Sequence, residues 1–105
     1  MKIWDIIRHL ESIAAPEYQE DYDNSGLIAG DATNDCTGVL LSLDCTEQMV
    51  REAIEKKCNL IVSHHPLIFR PIRSITPANG SGKALIAAIQ EDIAIYAIHT
   101  NLDNI

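Results

Sequence analysis

The chain opens on a helical period. Ile3, Ile7, Leu10 and Ala14 fall on one face with Ile6 and Ile13 beside it, and Pro16 ends the run. Glu17 to Asp23 is acidic and reads as a loop, and Asp23-Asn24-Ser25-Gly26 reads first as a turn, since Asn and Gly tolerate positive φ. Leu27-Ile28-Ala29 predicts a short strand ended by Gly30-Asp31. Val39 to Leu43 is a compact apolar run of strand length, the kind found when both faces of a strand are covered. Asp44 follows directly. Thr46 suits an N-cap, and Met49, Val50, Ala53 and Ile54 repeat at helical spacing up to Lys57. Asn59 to Val62 predicts the next strand, followed by Ser63-His64-His65-Pro66 and the apolar Leu67-Ile68-Phe69. Residues 70–82 read as a loop rich in Pro, Ser, Asn and Gly, and a helix is expected from about Lys83 to Gln90. Ile93 to Ile98 predicts a further strand leading into His99-Thr100-Asn101-Leu102-Asp103.

Strand, helix, strand, helix, strand from residue 39 to 98 predicts right-handed βαβ crossovers. The expected fold is α/β: a parallel-stranded sheet with flanking helices around a βαβαβ core, forming a single domain over residues 1–105. Ligands of such sheets gather at the carboxyl ends of the strands. Asp44 follows one strand, Ser63-His64-His65 the next, and His99 with Asp103 the third. Three strands thus deliver ionisable residues to one edge.

Composition narrows the choice of partners. Hydrophobic residues are 47% and charged residues 22% of the chain, as in ordinary globular domains. No apolar stretch reaches the ~18 residues of a membrane span, and Asp5 and Arg8 break any signal-peptide core, so a cytoplasmic protein away from membranes is expected. Net charge is −7, without a cluster of Lys or Arg, which argues against nucleic acid as partner. A small anion or nucleotide held through a metal stays open, because a cation reverses the local field. Cys36, Cys45 and Cys58 are odd in number and lack CxxC spacing, against both a disulfide framework and a structural zinc cage. Cys45 and Cys58 are expected as small buried hydrophobes.

The chemistry concentrates on the histidines. Neighbouring side chains in an extended segment point to opposite sides, but in a kinked loop ending at Pro66 two imidazoles can flank two separate metal ions. A carboxylate such as Asp103 can bridge ions ~3.5–4 Å apart, which then share and activate a hydroxide. Such ligands suit zinc, iron, manganese or nickel alike. A histidine pair in a loop is more often simply solvated or hydrogen-bonded, and it is the position at a strand's carboxyl end that raises the metal reading. Asp44 is either a carboxylate supporting that site or a cap of the turn after its strand. Gly80-Ser81-Gly82-Lys83 fails as a phosphate loop, since Pro77 stands where glycine is needed and Ala84 where Ser or Thr is. A triad of Ser63, His99 and Asp103 lacks the glycines of a nucleophile elbow.

Three segments resemble one known family. Ser42-Leu43-Asp44-Cys45-Thr46, Leu60 to Phe69 with its His-His-Pro, and His99-Thr100-Asn101-Leu102-Asp103 are similar to the Nif-three-like proteins, the GTP cyclohydrolase I type 2 homologues. Asp23-Asn24-Ser25-Gly26-Leu27 is similar to that family's Asp-Asn-x-Gly-Leu segment. The resemblance implies a dinuclear metal centre with His64, His65 and Asp103 as ligands, and assembly into a homohexameric ring. His99 shares a motif with Asp103 but is not carried over as a ligand; a role facing the substrate, or supporting the ligands, is expected. The implied activity is hydrolysis, with metal-activated water attacking C8 of a guanine ring. A metal-dependent phosphoesterase, or a metal-binding adaptor without turnover, are the alternatives. The family draws a further His and Glu from a C-terminal segment, so residues 1–105 are expected to be the N-terminal piece of a longer protein.

Overall fold

The computed structural model describes residues 1–13, 26–65 and 74–98. Its elements are α1 (Ile3–Ile13), β1 (Gly26–Ala29), β2 (Val39–Ser42), α2 (Glu47–Glu55), β3 (Leu60–Ser63), α3 (Gly80–Gln90) and β4 (Ala94–Ala97). They form one four-stranded sheet in the order β1-β4-β3-β2. β2, β3 and β4 are parallel, and β1 runs antiparallel to β4. The expected parallel core is present, and β1, left unplaced by its short apolar run, covers the β4 edge.

Alternation along the two central strands divides the core into two layers. Leu60 and Val62 of β3, with Ala94 and Tyr96 of β4, face α1 and bury Ile3 and Ile7. Ile61 and Ile95 face the other way, onto Val50 and Ala53 of α2 and Ala84, Leu85 and Ala88 of α3. Both strands are buried along their whole length, which is why they read as continuous apolar runs. Tyr96 is buried with them and turns its hydroxyl to Glu11 Oε2 at 3.2 Å, giving the phenol a partner. The burial, more than the nearby carboxylate, pushes the phenol's pKa up.

Local chemistry sets the helix ends. At α1, the Asp5 carboxylate accepts from the Lys2 backbone N–H at 2.9 Å, tying the entry of the chain to the first turn. Thr46 is the N-cap of α2 as expected, its side chain accepting from Met49 N. α3 begins at Gly80 rather than near Lys83, because the Asn79 side chain caps it by accepting from Gly82 N at 2.7 Å. The glycines that read as loop serve packing instead: a Cβ at Gly82 would collide with the Thr76 carbonyl oxygen. Both α2 and α3 end in the same way. Cys58 N bonds to Ala53 O and Lys57 N to Ile54 O, with the equivalent pair at Ile93 and Asp92. The motif needs a left-handed residue, supplied by Lys57 (φ 58°) and Asp92 (φ 55°) rather than glycine. Lys57→Gly should therefore stabilise the fold by about 0.5–1 kcal/mol in urea titrations, as relief of the Cβ penalty outweighs the flexibility added to the unfolded chain. Asp92→Gly should gain less, since it also loses the bond from Asn34 Nδ2 to Asp92 Oδ2. Equal destabilisation by both would contradict this account of the two caps.

The outer strand departs from expectation. β2 lies at the open edge, and only one of its faces is covered: Leu40 packs toward α2 and α3, while Leu41 and, just beyond the strand, Leu43 are 74% and 64% exposed. α1 covers the two central strands and stops short of β2. Cys45 is buried as expected, Cys36 and Cys58 are half-buried, and all three are free thiols.

Candidate metal centre

The carboxyl ends of β2, β3 and β4 lie side by side. Ser42 pairs with Ser63, and Ser63 with Ala97, so the residues that follow each strand emerge at one edge of the sheet. Backbone bonding continues past the strands, from His64 N to Ser42 O (3.2 Å), His65 N to Leu43 O (2.9 Å) and Ile98 N to Ser63 O (2.9 Å). The convergence expected from strand order is therefore built into the register, and Ile98 brings the chain to the threshold of His99.

The turn after β3 is shaped by its own residues. Ser63 is buried, and its hydroxyl donates to the His65 carbonyl at 2.8 Å, closing the chain on itself. That commits Ser63 to loop geometry and leaves a nucleophilic role unsupported. The imidazoles of His64 and His65 lie with centroids 5.0 Å apart and planes at 76°. Neighbouring rings on a straight strand would diverge to opposite faces; the turn brings these two to the same side. Both are half-buried. His65 Nδ1 lies 2.6 Å from Asp44 Oδ1, a contact that strand order alone left undecided.

Two neighbouring imidazoles, with a carboxylate against the inner nitrogen of one, are a donor set that fits a divalent cation. They are part of a shell: among the described residues, no group of three or more His, Cys, Asp or Glu side chains is placed to hold a metal ion. The expected third ligand, Asp103, and the expected substrate-facing His99 lie outside the described residues, as do Asp23, Asn24 and Ser25 of the N-terminal motif. Cys45 is next in sequence to Asp44, but burial pushes its thiol up to about 11, so it stays protonated at neutral pH and offers no thiolate ligand. A groove of about 440 Å³ between α2 and α3, lined by Glu47, Arg51, Lys83 and Glu91 among others, includes none of the candidate site residues. No helix among the described residues is long and apolar enough to cross a membrane.

Known proteins match this arrangement over the whole chain. A Clostridium perfringens protein named GTP cyclohydrolase 1 type 2 homolog is 44% identical over 105 residues, covering 100% of this chain and 40% of that relative. A Staphylococcus aureus crystal structure superposes with a TM-score of 0.93 at 48% identity, over 98% of this chain and 29% of the other. A Bacillus cereus protein related to NIF3 gives the same TM-score at 40% identity, over 98% of this chain and 28% of its own. The chain thus spans well under half the length of the relatives it matches. The model of the family Duf34/NIF3 (NGG1p interacting factor 3) covers residues 1–105, and the chain belongs to that family.

Proposed function

We propose that residues 1–105 are the N-terminal part of a dinuclear metal-dependent hydrolase, with His64, His65 and Asp103 holding two divalent cations. The observation that carries this reading is the pair of imidazoles turned to one side of the loop after β3, at the sheet edge where ligands of parallel sheets gather. Divalent ions bound there would supply Lewis acidity and a lowered pKa for water. The chain's own work is positional. Ser63 closes the turn, the bonds to Ser42 and Leu43 fix it against β2, and the two rings present nitrogen donors from adjacent residues. Asp103 would add a carboxylate from the chain leaving β4, and His99 would face the substrate. Zinc, iron, manganese and nickel all suit this donor set. Assembly of a homohexameric ring is part of the same reading.

The names of the relatives support a guanine nucleotide as substrate, opened at C8 with release of formate. A phosphoester is the alternative substrate. A second reading, a metal-binding adaptor without turnover, is favoured by the family description, which names an interacting factor. Protein loaded in turn with zinc, manganese and iron should release formate from GTP, and a chelator should abolish the release. Phosphate release from p-nitrophenyl phosphate without formate would move the reading to a phosphoesterase. Bound metal with neither product would leave the adaptor.

A further inference from the structure

Asp44 stands where the turn after β2 meets the turn after β3, and register puts it there. Ser42 pairs with Ser63. The backbone bonds to Ser42 O and Leu43 O carry that pairing onward, so Asp44 comes to lie beside His65. Its Oδ1 reaches His65 Nδ1 at 2.6 Å, the length of a charge-assisted hydrogen bond. The side chains are 60% and 45% exposed, so the pair contributes little to folding. Nor does Asp44 cap α2, because Thr46 does. A short bond that neither caps a helix nor steadies the fold has the orientation of one imidazole as its main consequence.

We propose that Asp44 is a positioning residue for His65: its carboxylate accepts the Nδ1 proton, holds the neutral ring as the Nδ1–H tautomer and leaves the Nε2 lone pair for a divalent cation. This rests on the reading of His65 as a metal ligand. An imidazole can ligate only through an unprotonated nitrogen, and a carboxylate on the other nitrogen selects which one that is. It also fixes the ring plane and makes the ligating nitrogen more basic. Asp44 belongs to β2 and His65 to β3, so the aim of the ligand is locked to the sheet rather than left to its loop.

Long-range ¹⁵N–¹H correlation spectra of the metal-free full chain at alkaline pH read the tautomer directly, and calorimetry with zinc reads affinity. In the parent, His65 should be protonated on Nδ1. Asp44→Ala should shift it toward the Nε2–H form, weaken zinc binding by about 10–100-fold, and leave the unfolding midpoint in place. Asp44→Glu should recover part of the affinity. An Nε2–H ring in the parent, or zinc affinity in Asp44→Ala within about threefold of the parent, would overturn the proposal. Affinity lost with the tautomer unchanged would also overturn it, since the carboxylate would then act as a ligand or bare charge. An Nδ1–H ring in a parent that binds no zinc would sink the metal-ligand reading while sustaining Asp44's hold on the ring.

Discussion

Alanine at His64 or at His65 should strip metal from the protein far more completely than any other single change at this edge of the sheet. Loss of a group that merely supports a ligand weakens metal binding by about 10–100-fold, and loss of a ligand itself should exceed that range. The measurement is metal content by elemental analysis after equilibration with a modest excess of zinc, repeated with a large excess. At modest excess His64→Ala and His65→Ala should each be depleted. His99→Ala should hold near-normal metal at the large excess, consistent with a residue that faces the substrate, while any turnover falls in all three. The opposite pattern, with metal lost in His99→Ala and retained in His64→Ala, would move the site to the chain leaving β4. The His-His-Pro turn would then be a structural loop.

The largest effect on folding is expected at Gly30, far from that chemistry in the reaction sense but on the strand that seals the sheet. Gly30 has φ 103°, and a Cβ built on it would lie 2.5 Å from Ala94 Cα. Nothing flexible stands in the way to yield, because the obstacle is the backbone of β4. Gly30→Ala must push β1 away from β4 while also straining its own backbone, at a combined cost of roughly 3 kcal/mol. For a domain of this size that lowers the melting midpoint by about 12–24 °C. Gly26 provides the control. Its φ is 111°, yet a Cβ there meets nothing within 4 Å, so Gly26→Ala carries the backbone strain alone and should cost about 1–2 kcal/mol. Equal losses in the two variants would show that close approach to Ala94 is not what requires glycine.

The parallel core was legible in the sequence because its causes are local. Ile3 and Ile7 recur at helical spacing and are the buried face of α1; Val50 and Ala53 do the same in α2, whose N-cap is the expected Thr46. The central strands read as unbroken apolar runs because both their faces are covered. Once strands and helices alternate, the handedness of βαβ crossovers brings their carboxyl ends to one edge, and His64 and His65 were placed there from order alone. Other features depended on what lay across from a residue. The run Val39 to Leu43 looked like a doubly covered strand, but β2 is at the sheet edge and α1 does not reach it. Leu27-Ile28-Ala29 is too short to announce a partner, and it pairs with β4 through an irregular register and the close approach of Gly30 to Ala94. Gly80 and Gly82 looked like helix breakers, yet Gly82 lies inside α3 because Thr76 leaves no room for a side chain. The contact between Asp44 and His65 joins residues 21 apart, decided by the one register in which Ser42 meets Ser63. A slip of one residue there would turn Asp44 to the other side of its strand, and no pattern within either segment records which register the packed sheet selects.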